Sequence, residues 1–122
     1  MAEQVARAGD MLVHIHAELR RALALARAGA PECLAFCGAL RGHHTHEDDT
    51  FPRIEQLYPQ LSPVLARLRQ EHETVARRIR ELQGLIDAGT DVSEDLDRLA
   101  AEMEAHFAYE EEHLVPVLNG AR

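Results

Sequence analysis

Residues 65–86 read LARLRQEHETVARRIRELQGLI, and apolar side chains recur in this stretch at alternating intervals of three and four residues. That interval places them on one face of an α-helix, which must pack against other helices to bury that face. A histidine interrupts the face once. The residues of this helix face are Leu65, Leu68, His72, Val75, Ile79, Leu82 and Ile86. The stretch therefore predicts a core-facing helix that carries an imidazole in its apolar face.

Helix-breaking and helix-starting residues divide the whole chain into four such segments. Pro31 and Pro63 are placed at first helical positions, which the fixed φ of proline suits. Ser62 is expected to cap the third helix, and Asp91 with Glu94 resembles a capping box for the fourth. The expected helices span residues 10–28, 31–58, 62–86 and 91–120.

Every predicted helix has histidine in its apolar face. The second and fourth contain the pattern His-x-x-x-Glu, as His43 with Glu47 and His106 with Glu110. Residues four apart lie on one helix face about one turn from each other, so each pair can direct an imidazole and a carboxylate at one point. The remaining faces are Leu12 or Val13, His16, Leu19 and Leu23; Phe36, Leu40, Ile54 and Tyr58; and Val92, Leu96, Leu99, Met103, His113 and Val117.

Four amphipathic helices with short connections predict an all-α, antiparallel up-down-up-down four-helix bundle, formed as one domain over residues 1–122. The order of a single histidine followed by His-x-x-x-Glu occurs twice, at 16, 43 and 47 and again at 72, 106 and 110. We interpret it as an imperfect internal repeat of two helical hairpins.

The two glutamates in apolar faces indicate a metal site in the bundle core. An unpaired buried carboxylate is costly and tends to protonate unless a cation compensates it. Two divalent cations held by four imidazoles and two carboxylates would make that buried charge tolerable. The predicted ligands are His16, His43, Glu47, His72, His106 and Glu110.

Composition limits the other classes of function. The 122 residues are 46% hydrophobic and 4% aromatic, which favours a core of Leu, Ile, Val and Ala. The net charge is −8 and no basic stripe is present, so nucleic-acid binding is disfavoured. No basic start with an apolar segment and no apolar run of about 20 residues appears, so we expect no membrane span and a cytoplasmic protein. Cys33 and Cys37 lie four apart, where a bridge would be strained, and are expected to be reduced core thiols.

The ordered motifs of the whole chain resemble the hemerythrin-like, or HHE cation-binding, family. The resemblance lies in HAELR at residues 16–20, GHHTHED at 42–48 with the following Phe51-Pro52, EHE at 71–73 and HFAYEEEHLVP at 106–116. It implies a four-helix bundle with a non-haem di-iron centre, two iron ions with an oxo or hydroxo bridge. Carried over by motif, the ligands are the six residues above, and Glu47 and Glu110 bridge the two ions.

The chain departs from the oxygen carriers of that family at one position. Those proteins have a second histidine four residues after the ligand of the third helix, and this chain has Ala76 there. The vacancy could hold water, admit a substrate or be filled by a neighbouring side chain. Tyr109 and His46 each precede a bridging glutamate, and each is an extra ligand, an outer hydrogen-bond partner or a surface residue.

Other histidines and acids compete for these roles. His14 is expected to point away from the core and His44 to lie on the flank of the second helix, where it could pair with Asp48. His113 is either an outer hydrogen-bond partner of the site or a core histidine. The remaining nearby acids are expected to be solvated surface charges: Glu71, Glu73, Glu111 and Glu112.

Three classes of function follow from this interpretation. The favoured class is a di-iron oxidoreductase with catalase-like or peroxidase-like chemistry, since an open position on iron binds small oxidants such as hydrogen peroxide or reactive nitrogen species. The second is a non-enzymatic module that binds or senses dioxygen, nitric oxide or iron. The third is a structural bundle that holds zinc, which the same ligands accept.

Overall fold

The computed structural model describes residues 8–120, and these form four α-helices. Consecutive helices are joined by short connections, two of which contain the 3₁₀ turns Ala26–Ala28 and Pro59–Leu61. The first and third helices each pack against both the second and the fourth. This arrangement is a four-helix bundle, as the sequence predicted. The helices are α1 (Ala8–Leu25), α2 (Ala30–Leu57), α3 (Ser62–Asp87) and α4 (Ser93–Leu118).

The predicted helix ends lie within a few residues of the observed ones, but two predicted caps are wrong in detail. Ser62 has helical backbone angles, and its hydroxyl donates to Glu55 Oε2 at 2.6 Å instead of capping α3. Asp91 accepts hydrogen bonds from the backbone N–H of Ser93 at 3.0 Å and from its hydroxyl at 2.7 Å. The start of α4 is therefore held by a local turn between Asp91 and Ser93, without the predicted capping box to Glu94.

The core consists of two apolar layers with a layer of histidine and glutamate between them. Along α3, Leu68 belongs to one apolar layer, His72 to the polar layer and Val75 to the other apolar layer. The same succession occurs on α1, where Leu12, His16 and Leu19 are buried. The four helices thus bring their inward polar residues to one level of the bundle.

The apolar face predicted for α3 is confirmed, whereas the faces of α2 and α4 are wider than predicted. Phe51, Phe107 and Leu114 are almost completely buried although they lie outside the predicted faces. His113 and Val117, which were placed in the face of α4, are only half-buried. A helix that contacts two neighbours at once buries a broader stripe than a simple three-four alternation describes.

The beginning of α1 and the end of α4 are in close contact. A Cβ atom at Gly9 would lie 2.6 Å from the carbonyl oxygen of Val115 and 2.6 Å from Asn119 Oδ1. The backbone N–H of Asp10 donates to Asn119 Oδ1 at 3.2 Å, and Asn119 Nδ2 donates to Asp10 Oδ1 at 3.1 Å. The absence of a side chain at Gly9 is what allows these two helix ends to approach.

Cys33 and Cys37 are buried, unbridged thiols, as expected. Burial raises the pKa of Cys37 to about 11, so this thiol stays protonated and unreactive near neutral pH. Between residues 8 and 120, no helix combines the length and apolar character that crossing a membrane requires.

Candidate metal centre

Five histidines and two glutamates converge in the polar layer, and all four helices contribute. Their ligand atoms form two groups, and within each group these atoms lie within 4.8 Å of one another. We call them the first cluster and the second cluster. The first cluster is His16, His43, Glu47 and Glu110. The second cluster is His44, Glu47, His72 and His106.

Glu47 belongs to both clusters, and each of its two carboxylate oxygens faces a different cluster. Oε2 is 3.4 Å from His43 Nε2 in the first cluster, and Oε1 is 3.2 Å from His72 Nε2 in the second. An α-helix turns by about 100° per residue, so position 47 falls between positions 43 and 44 around the axis of α2. The helix geometry therefore places the carboxylate between its two neighbouring imidazoles.

Glu110 lies on the opposite side of the polar layer and also approaches both groups. Its Oε1 is 3.0 Å from His16 Nε2 and 3.9 Å from His106 Nε2. Its side chain is completely buried. The two glutamates from diagonally opposed helices thus lie between the imidazoles of the two clusters.

The nitrogen and oxygen atoms that face the centre lack hydrogen-bond partners among residues 8–120. A bound metal ion would give these atoms the partner that they lack. Buried polar atoms are normally paired, because an unpaired one costs about 1–3 kcal/mol. The Nε2 atoms of all five histidines, Glu47 Oε1 and both carboxylate oxygens of Glu110 are buried without a partner of suitable geometry. Imidazole nitrogens and carboxylate oxygens are ligands of divalent transition metals, so the donor set fits a metal centre.

Three of the histidines are held from outside by carboxylates. The distances from Nδ1 to carboxylate oxygen are 2.7 Å for His16 to Glu111, 2.8 Å for His72 to Asp48 and 2.7 Å for His106 to Glu71. A histidine that donates its Nδ1–H in this way presents the lone pair of Nε2 to the centre, the usual arrangement around metal-binding imidazoles. The carboxylates that hold the imidazoles belong to Asp48, Glu71 and Glu111.

The expectation that Glu71 and Glu111 are solvated surface charges is therefore wrong, and Asp48 pairs with His72 instead of His44. Each of these acids directly adjoins a cluster residue in the sequence, but its partner is on another helix. In the sequence, the signal for these acids was that each directly adjoins a residue predicted to face the core. It was not sufficient, because the partner depends on how the helices pack.

Two arginines hold two of these acids in place. Arg20 Nη1 donates to Glu111 Oε2 at 3.1 Å, and Arg67 Nε donates to Glu71 Oε2 at 3.0 Å. The cation and the imidazole N–H lower the pKa of Glu111 and of Glu71 against the opposing effect of partial burial. Both acids therefore remain ionised and accept from the imidazoles near neutral pH.

Burial also controls the protonation of the inward groups. It lowers the pKa of His16 to about 4, and burial with the neighbouring imidazoles of His72 and His106 lowers that of His44 to about 2. Burial and the carboxyl of Glu47 raise the pKa of Glu110 to about 11. In the metal-free protein these histidines are thus neutral, the form that binds metals, and Glu110 carries a proton that a cation would displace.

The placement of His44 on the flank of α2 is wrong. Its side chain is 6% exposed and stacks on His72, with ring centroids 3.9 Å apart and an angle of 14° between the planes. His43 also faces the centre, so both neighbouring histidines point inward. They do so because α2 contacts α1 on one side and α3 on the other, and positions 43 and 44 face these two sides.

The other residues that competed for ligand roles lie outside both clusters. His46 is exposed, and so is His14, which lies 3.3 Å from Glu18. His113 Nδ1 donates to the backbone carbonyl of Tyr109 at 2.8 Å, as a histidine of the helix surface does. The guanidinium of Arg67 lies 3.9 Å from the centre of the Tyr109 ring. Glu73 and Glu112 are exposed, as expected.

An apolar cleft between α1 and α2 leads to the first cluster. Its volume is about 430 Å³, and His43 and Glu47 form part of its wall. Met11 and Ile15 at its edge are 58% and 36% exposed. A small molecule can therefore reach the first cluster along an apolar surface.

A family model described as hemerythrin HHE cation binding domain matches residues 7–118. The match extends over all four helices and both clusters. No curated protein and no solved structure gave a match.

Proposed function

The chain belongs to the hemerythrin HHE cation binding domain family, and on that premise we propose that it is a non-haem di-iron protein that reacts with small oxidants. The oxidants are hydrogen peroxide, dioxygen or nitric oxide. Cation binding is the property that the family name and the His/Glu clusters share. The choice of iron and of the oxidant is the proposal.

The observation that supports it is the convergence of unpaired Nε2 atoms and carboxylate oxygens at one level of the core. The six residues of the family motif would hold the two ions, with Glu47 and Glu110 between them. Two cations would compensate two buried carboxyl groups that the surrounding apolar layers leave without other partners. The proposed ligands are His16, His43, Glu47, His72, His106 and Glu110.

Iron bound there would supply the electrons that a reaction with peroxide or dioxygen needs, without a second cofactor. The protein's own groups orient the site, since Asp48, Glu71 and Glu111 fix the rings of three imidazoles. Apolar layers lie on both sides of it. The cleft beside His43 and Glu47 gives a small molecule access.

Reversible binding or sensing of dioxygen or nitric oxide is the second candidate function. The cleft favours it, because its wall is mainly Met, Leu, Ile and Phe side chains, which suit an apolar diatomic gas better than they suit peroxide. The polar side chains of that wall are fewer: His43, His46, Glu47 and Thr50.

The test is metal analysis of protein from iron-supplied cells, followed by optical spectra and peroxide turnover. We expect about two iron atoms per chain and the near-ultraviolet absorption of a bridged ferric pair. Rapid peroxide decomposition by such protein would support the oxidoreductase, and a stable gas adduct without turnover would support the binding module. A fully loaded protein that contains one metal atom or fewer, or only zinc, would contradict the di-iron proposal.

A further inference from the structure

We propose that His44 is a fifth imidazole ligand, so that the single helix α2 supplies one imidazole to each of the two metal positions. This inference rests on the proposed function in requiring that metals bind, but it concerns a residue outside the six of the family motif. It changes the composition of the second position from two imidazoles to three: His44, His72 and His106.

The nitrogen that His44 turns toward the centre favours a ligand role. Nε2 is buried and has no hydrogen-bond partner among residues 8–120. A histidine that serves only to fill a core normally bonds to a backbone carbonyl or a side chain, because an unpaired buried nitrogen is costly. Even the half-buried His113 bonds to the carbonyl of Tyr109, whereas Nε2 of the more deeply buried His44 has no such partner.

The position of this imidazole among other ligand residues also favours that role. A ligand atom of His44 is within 4.8 Å of ligand atoms of Glu47, His72 and His106, all of which are buried. The ring lies against His72 at 3.9 Å and approaches His106 edge-on, with centroids 5.0 Å apart and planes at 68°. Three imidazoles and a carboxylate converging from three helices form a donor set for one divalent transition metal.

The order of residues around α2 agrees with a ligand role for His44. His43 and His44 lie about 100° apart around the helix axis, with Glu47 between them. The two oxygens of Glu47 face His43 on one side and His72, the stacking partner of His44, on the other. An ion placed between Glu47 and His72 would therefore be on the side of α2 that carries His44.

The surroundings of Ala76 agree with this assignment. Ala76 lies one turn after His72 on α3 and borders a cavity of about 150 Å³ together with His44 and His72. His72 is the single histidine of α3, so this helix supplies one imidazole to the second cluster. The imidazole from α2 thus brings the second position to three imidazoles without one at position 76.

The experiment compares His44→Leu with His46→Leu, both loaded with cobalt(II). Leucine keeps much of the volume of the histidine but has no donor atom, and exposed His46 on the same helix is the matched control. Chelator competition measures the affinity of each cobalt ion. Proton NMR measures the shifted, exchangeable N–H signals of cobalt-bound imidazoles, one for each ligated histidine.

We expect His46→Leu to match the parent. We expect His44→Leu to bind one of its cobalt ions at least tenfold more weakly and to lose one N–H signal. Unchanged affinities and an unchanged number of signals in His44→Leu would overturn the inference. If circular dichroism shows that the leucine variant does not fold, His44→Gln decides by the same signals, since its amide fills the site without being an imidazole.

The same data separate this inference from the proposed function. A parent protein that binds neither cobalt nor iron would contradict metal binding itself. A parent that binds two ions, with a His44→Leu variant that is indistinguishable from it, would contradict only the role of His44.

Discussion

The two clusters differ in how their imidazoles are held and in what surrounds them. In the second cluster His72 and His106 are both oriented by carboxylates, and His72 is stacked between His44 and Phe51. In the first cluster only His16 has such a partner. His43 instead borders an apolar cleft of about 430 Å³.

Two similar sets of ligand residues thus lie in unequal surroundings within one bundle. The second cluster has three imidazoles and borders a cavity of about 150 Å³, whereas the first has two imidazoles and borders the cleft of about 430 Å³. Each cluster contains four candidate ligand residues, and the first borders the larger of the two cavities. If the protein reacts with small oxidants, we expect the reaction at the His16 and His43 side, which borders the larger cleft, and variants of the two clusters test this expectation.

Removing the side chain that the clusters share should have the largest effect. Glu47→Ala deletes an oxygen from each cluster, so we expect the protein to lose both metal ions. Elemental analysis after gel filtration measures the loss, and Glu73→Ala, at an exposed acid on α3, is the control. Retention of one tightly bound ion by Glu47→Ala would show that the clusters are independent.

Removing the metals should affect the stability of the whole polar layer. Without cations Glu47 and Glu110 remain buried among unpaired nitrogens, so the metal-free protein should unfold well below the temperature at which the loaded protein unfolds. Thermal melts with and without chelator measure this difference. Equal melting temperatures would mean that the clustered side chains satisfy one another.

The carboxylates outside the clusters should tune affinity separately for each position. Loss of an outer partner of a metal-binding histidine typically lowers metal affinity by about 10- to 100-fold. We expect Glu71→Gln to weaken the ion at the second cluster and Glu111→Gln the ion at the first. Chelator titrations that resolve the two ions provide the measurement, and an equal effect of either variant on both ions would contradict the assignment.

The depressed pKa of His44 predicts a pH-dependent difference between the metal-free parent and metal-free His44→Leu. Burial lowers the pKa of His44 in the folded protein from the ordinary histidine value of 6.5 to about 2, so below pH 6.5 this imidazole binds a proton only after unfolding. Stability is therefore lost as the pH falls. Between pH 7.5 and 5.5 the parent should lose about 1.4 kcal/mol more unfolding free energy than the variant. Urea denaturation of both proteins measures this, and parallel curves would show that His44 is not buried as a neutral group.

Introducing a histidine at position 76 should have the smallest effect. If His44 already supplies the third imidazole of the second cluster, Ala76→His adds nothing that this cluster lacks, and metal content and peroxide or gas reactivity should stay close to those of the parent. Stoichiometry and turnover are measured together, because overpacking could also expel metal. A marked fall in reactivity with both ions retained would place the reactive position at the His72 side instead.

The fold could be predicted because its signals are local. The repeat of apolar residues in α3, from Leu65 to Leu82, marks its buried face directly, and Pro31 and Pro63 mark the starts of α2 and α3. The six motif residues all reach the centre for the same reason, since each stands in an apolar face. Phe107 and Leu114 were missed because the width of a buried face depends on how many neighbours the helix touches.

The rest of the centre could not be predicted because it depends on contacts between helices. His43 and His44 look like alternatives in a single helix, and both point inward only because α2 lies between α1 and α3. Glu111 looks like a surface acid, yet it holds His16 on α1 because α1 packs beside α4. Such pairings depend on the packing of one helix against another, which no local pattern specifies.

The contact of Gly9 with Val115 and Asn119 limits where the chain can change in length. It ties α1 to α4 at one end of the bundle, and the apolar layer with Leu12 and Leu114 separates it from the level where His16 and Glu110 face each other at 3.0 Å. One residue deleted between Gly9 and His16 would turn the imidazole by about 100° and move it about 1.5 Å along the axis. The spacing from Gly9 to His16 is therefore as restricted as that of a metal motif, and tolerated insertions or deletions belong in the connections between the helices.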